Sequence, residues 1–156
     1  MMNLLIIVLV FLGMEGVTWF THKYVMHGFL WKLHHDHHDH RLHDSEWEKN
    51  DLFFVIFAIP SILLILAGSI YSMPYCWQIG TGVAMYGAAY FLVHDVFIHQ
   101  RIKWLRDSEN PYFRALRRAH KMHHKHISKE EGECFGMLMV PLKYFKKEFN
   151  TEIKQS

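Results

Sequence analysis

Fourteen histidines in 156 residues are the first chemistry this chain offers, and ten of them form a pattern that occurs twice. HxxxxH is followed by HxxHH: His22 and His27 precede His34, His37 and His38, and His94 and His99 precede His120, His123 and His124. Imidazole nitrogen suits zinc, copper, iron and nickel, so the donor type leaves the metal open. Ten imidazoles are too many for one ion. Two ions with about five nitrogens each would keep an open position on an octahedral metal, which catalysis requires. A lone histidine at a membrane interface reads as structural, and a histidine-rich tract reads as loop-like low complexity. Two complete copies, the second in an ordered helical context, argue against both.

The positioning elements follow from the spacing. On a helix the HxxHH set spans an arc of about 100°, so the three rings can point at one place. The HxxxxH pair is splayed by about 140° on a regular helix, which suits flanking a metal pair or a local irregularity. Asn110 and Pro111 predict the N-cap and first position of a helix running to about His126. On it Phe113, Leu116, His120, His123 and His124 share one face, while Arg114, Arg117, Arg118, Lys121 and Lys125 fill the adjacent one. His35 aligns with Lys121 of the other copy, so it is expected to face solvent and bind no metal. His40, His43 and His126 lie outside the repeat. Ligating imidazoles commonly donate their second N–H to a carboxylate, which makes Asp95 and Asp36 candidate acceptors, with surface exposure the alternative for Asp36. Glu15 lies seven residues before His22 on the same face at membrane depth, and is expected to turn into the bundle interior near the metals.

Stepping out from the histidines, 51% of the residues are apolar and 21% charged, and a mean hydropathy of -0.02 hides their separation along the chain. Apolar runs predict membrane spans at about 4–24, 52–71 and 78–98, since a hydrocarbon core about 30 Å thick needs roughly 20 helical residues. All 17 Lys and Arg fall between Lys23 and Lys49 or between Arg101 and Lys154. The positive-inside rule therefore puts residues 25–51 and 99–156 in the cytoplasm. Met1 to Asn3 carry no basic residue and no small-residue cleavage site follows, which argues against a signal peptide. The expectation is an all-α integral membrane protein, one domain over 1–156, in which a transmembrane helical bundle carries a cytoplasmic, histidine-rich helical cap. Gly80, Ala84 and Ala88 make a small-residue stripe for close helix packing. Cys76 and Cys134 fall on opposite sides of the membrane and should not pair. Two cysteines exclude a disulfide scaffold and a four-cysteine cluster. No Walker loop, GxGxxG turn or GxSxG elbow appears. If the metal chemistry is oxidative, electrons must come from outside, and the basic face fits either an acidic electron carrier or anionic lipid headgroups.

His22-Lys23-Tyr24-Val25-Met26-His27-Gly28, His94-Asp95-Val96-Phe97-Ile98-His99-Gln100-Arg101 and Ala119-His120-Lys121-Met122-His123-His124 closely resemble the bacterial β-carotene hydroxylases of the membrane fatty acid hydroxylase and sterol desaturase superfamily. The likeness continues through Lys129-Glu130-Glu131-Gly132 and Phe135-Gly136 to Pro141, nearly the whole chain. Val96 departs from it, standing where the family pattern usually has glycine. The resemblance implies two non-haem iron ions held by the ten histidines. It implies oxygen-dependent hydroxylation at carbon 3 of a β-ionone ring, giving β-cryptoxanthin and then zeaxanthin, with reduced ferredoxin and its reductase as electron source. The carotenoid would come from the bilayer of the inner (cytoplasmic) membrane, and no nucleic acid is involved. Trp19, Tyr86 and Tyr90 are candidate walls for the polyene, with ordinary bundle packing the preferred reading. Two other readings stay open: hydroxylation of a fatty acyl chain or sterol, and, in a different class, a histidine-rich membrane metal-binding or transport protein. Transport would favour titratable residues near the midplane of several helices, and the middle of the second span has none.

Overall fold

The computed structural model describes residues 2–39, 41, 47–104, 108–130 and 132–145, and these are helical with no strand among them. Helix α1 (Met2–Phe20) continues directly into a π-helix, π1 (Thr21–Phe29), and α2 (Trp31–His38) follows. Helices α3 (Asp51–Ile70) and α4 (Cys76–Phe91) form a hairpin, α4 runs on into a second π-helix, π2 (Leu92–Ile98), and α5 (Pro111–His124) comes last. Three continuous helical paths, Met2–Phe29, Asp51–Ile70 and Cys76–Ile98, are long and apolar enough to cross a membrane. The first outruns its expected end because π1 prolongs it past residue 24.

Apolar side chains cover these helices all round and face outward, as Leu9, Leu12, Ile62 and Leu63 do with more than half of their surface exposed. Water would not tolerate such a surface, whereas lipid solvates it. Helix α4 packs against both α1 and α3. Gly80 lets α3 approach: a Cβ there would lie 2.7 Å from the Ser61 carbonyl oxygen and 2.9 Å from the Ile65 nitrogen. Buried Ser61 donates its hydroxyl to the Gly80 carbonyl at 2.8 Å, and Gly82 gives α1 a similar approach through Val10 and Ile7. The small-residue stripe thus packs helices at Gly80. Both cysteines are free.

The cap grows from the other end of the bundle. Asn110 accepts from the Tyr112 amide at 2.9 Å and Pro111 opens α5, as its sequence predicts. Ala115 and Ala119 bury against Tyr144 of the C-terminal segment, so α5 is clamped between the bundle and that segment. Arg117 and Arg118 are spent internally, against the expectation of one basic face: Arg117 donates to the Phe97 carbonyl at 3.1 Å and Arg118 to the Tyr144 carbonyl at 3.0 Å. Only Arg114, Lys121 and Lys125 of that set are exposed.

Gly80→Val should cost about 1–3 kcal/mol of stability, the usual penalty of forcing atoms into a packed contact. Gly16→Ala, whose added methyl meets nothing within 4 Å, should be neutral or stabilising. Thermal unfolding of both variants in one detergent checks the contrast.

Candidate metal centre

Each copy of the histidine pattern is built as a π-helix followed by an α-helix. A π-helix closes its hydrogen bonds from residue i to i+5, so residues five apart return to nearly one face. The His99 amide donates to the His94 carbonyl at 2.8 Å, and the Leu30 amide to the Val25 carbonyl at 2.9 Å, both with this spacing. The splay of HxxxxH on a regular helix therefore disappears. Ring centroids are 5.2 Å apart for His22 and His27, and 4.5 Å apart for His94 and His99. The irregularity anticipated from the spacing is this π-helical geometry.

The imidazoles gather into two groups. His22, His27, His34, His38 and His123 bring five nitrogens within 4.8 Å of one another, all buried. His37, His94, His99 and His120 bring together four in the same way. His124 borders the second group, its Nε2 2.8 Å from that of His120 and its ring stacked on His38 with centroids 4.6 Å apart. The three rings of each HxxHH do not point at one place, which corrects the reading from spacing. On a helix, positions i and i+4 differ by about 40° and i+3 falls about 60° to the other side. His34 and His38 therefore join one group while His37 joins the other. In the second copy His120 stays with His94 and His99, while His123 crosses over.

Hydrogen bonds at the far side of each ring decide its tautomer. Nδ1 of His22 donates to the Phe135 carbonyl at 3.0 Å, His27 to Lys129 at 3.2 Å, His38 to His126 at 3.0 Å and His123 to Glu133 at 2.8 Å. His34 donates to Asn50 Oδ1 at 2.7 Å, His37 to Glu48 Oε2 at 2.6 Å and His94 to Asp95 Oδ2 at 3.2 Å. These partners are acceptors, so Nδ1 carries the hydrogen and Nε2 of the neutral ring is a bare lone pair. Yet Nε2 atoms face one another at 3.1 Å for His22 and His34, 3.2 Å for His27 and His123, and 3.0 Å for His37 and His94. Lone pairs so placed repel unless a cation lies between them. Cis nitrogens on an octahedral ion with bonds of about 2.1 Å stand about 3.0 Å apart, so both groups fit a metal each.

The expected acceptors divide. Asp95 supports His94 as anticipated. Asp36 does not support an imidazole and is not on the surface: it is buried, and its Oδ2 accepts from the Lys49 amide at 2.8 Å. Glu15 is turned into the interior but touches none of the ten rings among its recorded partners. It accepts from the amides of Met137 at 2.9 Å, Leu138 at 3.0 Å and Met139 at 2.9 Å, and from the Tyr86 hydroxyl at 2.6 Å. A buried carboxyl requires such donors. Gly136 makes room for it, since a Cβ there would lie 2.8 Å from Glu15 Oε1. Asn50 and Glu48 were not anticipated. Asn50 stands at the N-cap position of α3, but its side chain makes no cap bond. Arg101 binds Glu48 at 3.1 Å, Asp51 at 2.9 Å and Asp95 at 3.4 Å, tying together the two carboxylates behind His37 and His94. His35 belongs to neither group and lies beside Trp31. His126 contributes its carbonyl. His40 and His43 lie outside the described residues. Val96 is buried within π2 and its carbonyl accepts from Gln100, so the larger side chain is accommodated.

A model of the fatty acid hydroxylase family matches residues 7–145. The chain belongs to the fatty acid hydroxylase family. Among its relatives, a β-carotene hydroxylase of Pantoea ananas is 42% identical over 139 residues, covering 89% of this chain and 78% of the relative. One of Pseudescherichia vulneris is 41% identical, covering 88% and 77%, and one of Paracoccus sp. (strain PC1) is 37% identical, covering 90% and 86%. No solved structure matches the chain. Phe135 and Asp95 supply the carbonyl and the carboxylate that orient His22 and His94.

Burial, and then the charge of neighbouring imidazoles, holds His37 and His120 well below the ordinary value of 6.5, with His34 and His123 lowered by the same causes. Burial and His27 take His38 down to about 4. In the unfolded chain these rings protonate near 6.5, so between that pH and about 4 the unfolded state binds more protons. The stability they contribute is complete above pH 6.5 and is lost as the pH falls, by up to about 1.4 kcal/mol per pH unit per ring. Metal-free protein in detergent should therefore unfold at progressively lower temperature from pH 7.5 to pH 5, and an unchanged midpoint would contradict the buried neutral rings.

Proposed function

We propose that this protein is a membrane hydroxylase that places a hydroxyl on carbon 3 of the β-ionone rings of β-carotene, giving β-cryptoxanthin and then zeaxanthin. The observation that carries the reading is an apolar cavity of about 80 Å³, separated from each histidine group by a single aromatic side chain. Its metal-side end is formed by Met26, Asn50, Phe53 and Tyr90. The Tyr90 ring lies 4.9 Å from that of His94, and Phe53 lies 6.5 Å from His34, so one wall faces a ring from each group. Of the aromatic wall candidates, Tyr86 and Tyr90 line this cavity, while Trp19 packs against Tyr24 elsewhere.

The ten histidines named above hold two irons in this reading. When bound, these supply the activation of O2, with the electrons coming from reduced ferredoxin and its reductase. The protein's share is placement. The cavity's apolar lining exchanges water for hydrocarbon, so a ring carbon that enters it is held near both groups in a dry site. The Nδ1 hydrogen bonds keep the Nε2 lone pairs aimed inward, a preorganisation that also raises ligand basicity. Carotene is favoured as substrate by the activity for which the relatives are named and by their identity over most of the chain. The distribution of Lys and Arg supports a cap on the cytoplasmic face of the inner membrane, where iron and an electron donor would reach it.

Protein purified in mild detergent should contain about two irons per chain and convert β-carotene to hydroxylated product, while one zinc and no product would refute the reading. Glu48→Ala removes the acceptor behind His37 and leaves its N–H buried. It should weaken metal binding at the four-histidine group by roughly 10–100-fold, so that iron falls from about two toward one per chain after dialysis. Iron quantified per chain and a metal titration check both statements.

A further inference from the structure

The interior cavity has a neighbour on the membrane side. A groove of about 370 Å³ runs between α3 and α4, and four residues, Phe54, Phe57, Val83 and Gly87, line both spaces. The two helices touch at Gly80, where no side chain fits, and stand apart by Gly87, where a Cβ would meet nothing within 4 Å. On the outer side Ala84 and Ala88 offer only methyl groups, and both are exposed. The one hydroxyl lining the groove, that of Ser61, is already donated to the Gly80 carbonyl. Nothing there would bind water or a charged headgroup in preference to hydrocarbon.

The opposite approach to the histidines is lined by polar structure. The carbonyls of His126, Lys129, Glu133 and Phe135 receive the imidazole N–H groups on that side. Grooves open there beside Lys129 and beside Phe135, but a long apolar molecule passing from them to the rings would strip those carbonyls of their partners.

We propose that the slot between α3 and α4 is a lateral portal through which a rigid lipid-soluble hydrocarbon enters from the bilayer, its end ring seated in the interior cavity and its polyene lying in the groove past Gly87. The occupant is the carotenoid of the reading above, on which this inference rests. A polyene longer than the cavity must leave it somewhere, and the shared apolar wall at Gly87 opens directly onto lipid. The small residues Gly87, Ala84 and Ala88 then act as specificity determinants, because a larger side chain at any of them occupies the path of the chain. The groove lies in the size range of ligand pockets, about 300–1,000 Å³, and continues the smaller interior cavity.

The test uses the full chain expressed in a carotene-producing host. Ala88→Phe fills the groove from an exposed position, and Leu63→Phe is the matched control on α3, exposed and outside the groove lining. Carotenoid retained per chain after purification, product formed, iron per chain and unfolding temperature are measured for each. Ala88→Phe should lower both retained carotene and product by about ten-fold or more, with iron content and unfolding temperature unchanged, while Leu63→Phe behaves as wild type. Ala88→Phe that retains and hydroxylates carotene like wild type would overturn the portal, as would wild type that retains none. Wild type that retains carotene without forming product would sink the functional reading alone. In that case, selective loss of retention in Ala88→Phe would still uphold the portal. Should Ala88→Phe fold poorly, Ala84→Leu, at another exposed groove position, gives the same comparison.

Discussion

Imidazoles aimed at one another through their Nε2 lone pairs make an arrangement that outside hydrogen bonds must hold. Each ring needs an acceptor at Nδ1, and for four of the five rings in the first group that acceptor is a backbone carbonyl. Three of those carbonyls belong to Lys129, Glu133 and Phe135, which lie outside any helix. Something must therefore fix this part of the chain. Glu15, from within α1, accepts from three consecutive amides at residues 137–139, and Tyr86 of α4 donates to the same carboxyl. The support runs in order from the membrane bundle to the carboxyl, from the carboxyl to the loop, and from the loop to the rings. Glu15 acts on the centre at this remove.

The two groups are held by different chemistry. Backbone carbonyls and the Asn50 amide stand behind the five-histidine group, whereas carboxylates of Glu48 and Asp95 stand behind His37 and His94. A carboxylate pulls harder on an imidazole N–H than an amide carbonyl does, and makes the ring a more basic ligand. Burying two carboxylates beside one metal group requires a counter-charge, and Arg101 supplies it to both while also binding Asp51 at the start of α3. One guanidinium thus joins the loop before α3, the end of π2 and the support of the second group. The first group depends on backbone placement and the second on a charge network, so they should respond differently to substitution even though the histidine pattern is repeated.

The bundle was legible because lipid imposes one strong requirement, a continuous apolar helix, and three runs of the chain meet it. The ten histidines were legible because they repeat. Their allocation was not: the crossing of His37 and His123 depends on how the two HxxHH helices face each other, and a single helical wheel sees only its own axis. Nor were most of the acceptors. A backbone carbonyl leaves no mark in the residue types, and Asn50 carries the signature of a helix cap while serving His34. Asp36 shows the converse error. Adjacency to ligands suggested an acceptor, but its position on α2 points it to the Lys49 amide and away from the rings. Asp95 was readable because the residue following His94 can reach back to that ring's Nδ1.

The π-helices reconcile two demands that a regular helix cannot meet together. Two ligands separated by five residues must face one metal, which calls for a departure from the α period. Backbone polar groups near the membrane must nevertheless stay paired, because an unpaired amide in hydrocarbon costs several kcal/mol. A loop would turn the rings but expose the backbone. Widening the hydrogen bond from i+4 to i+5 turns the rings and keeps the pairing, as the bond from His99 to His94 shows, and in π1 the Leu30 amide still reaches the Val25 carbonyl across a kink at Gly28. The two π-helices lie where α1 and α4 pass into the cap, so the irregularity is confined to the end of each span. The same geometry accounts for the HxxxxH spacing itself: an HxxxH pair on a regular helix would also converge, but only i+5 spacing suits the π-helical turn that leads out of the bundle.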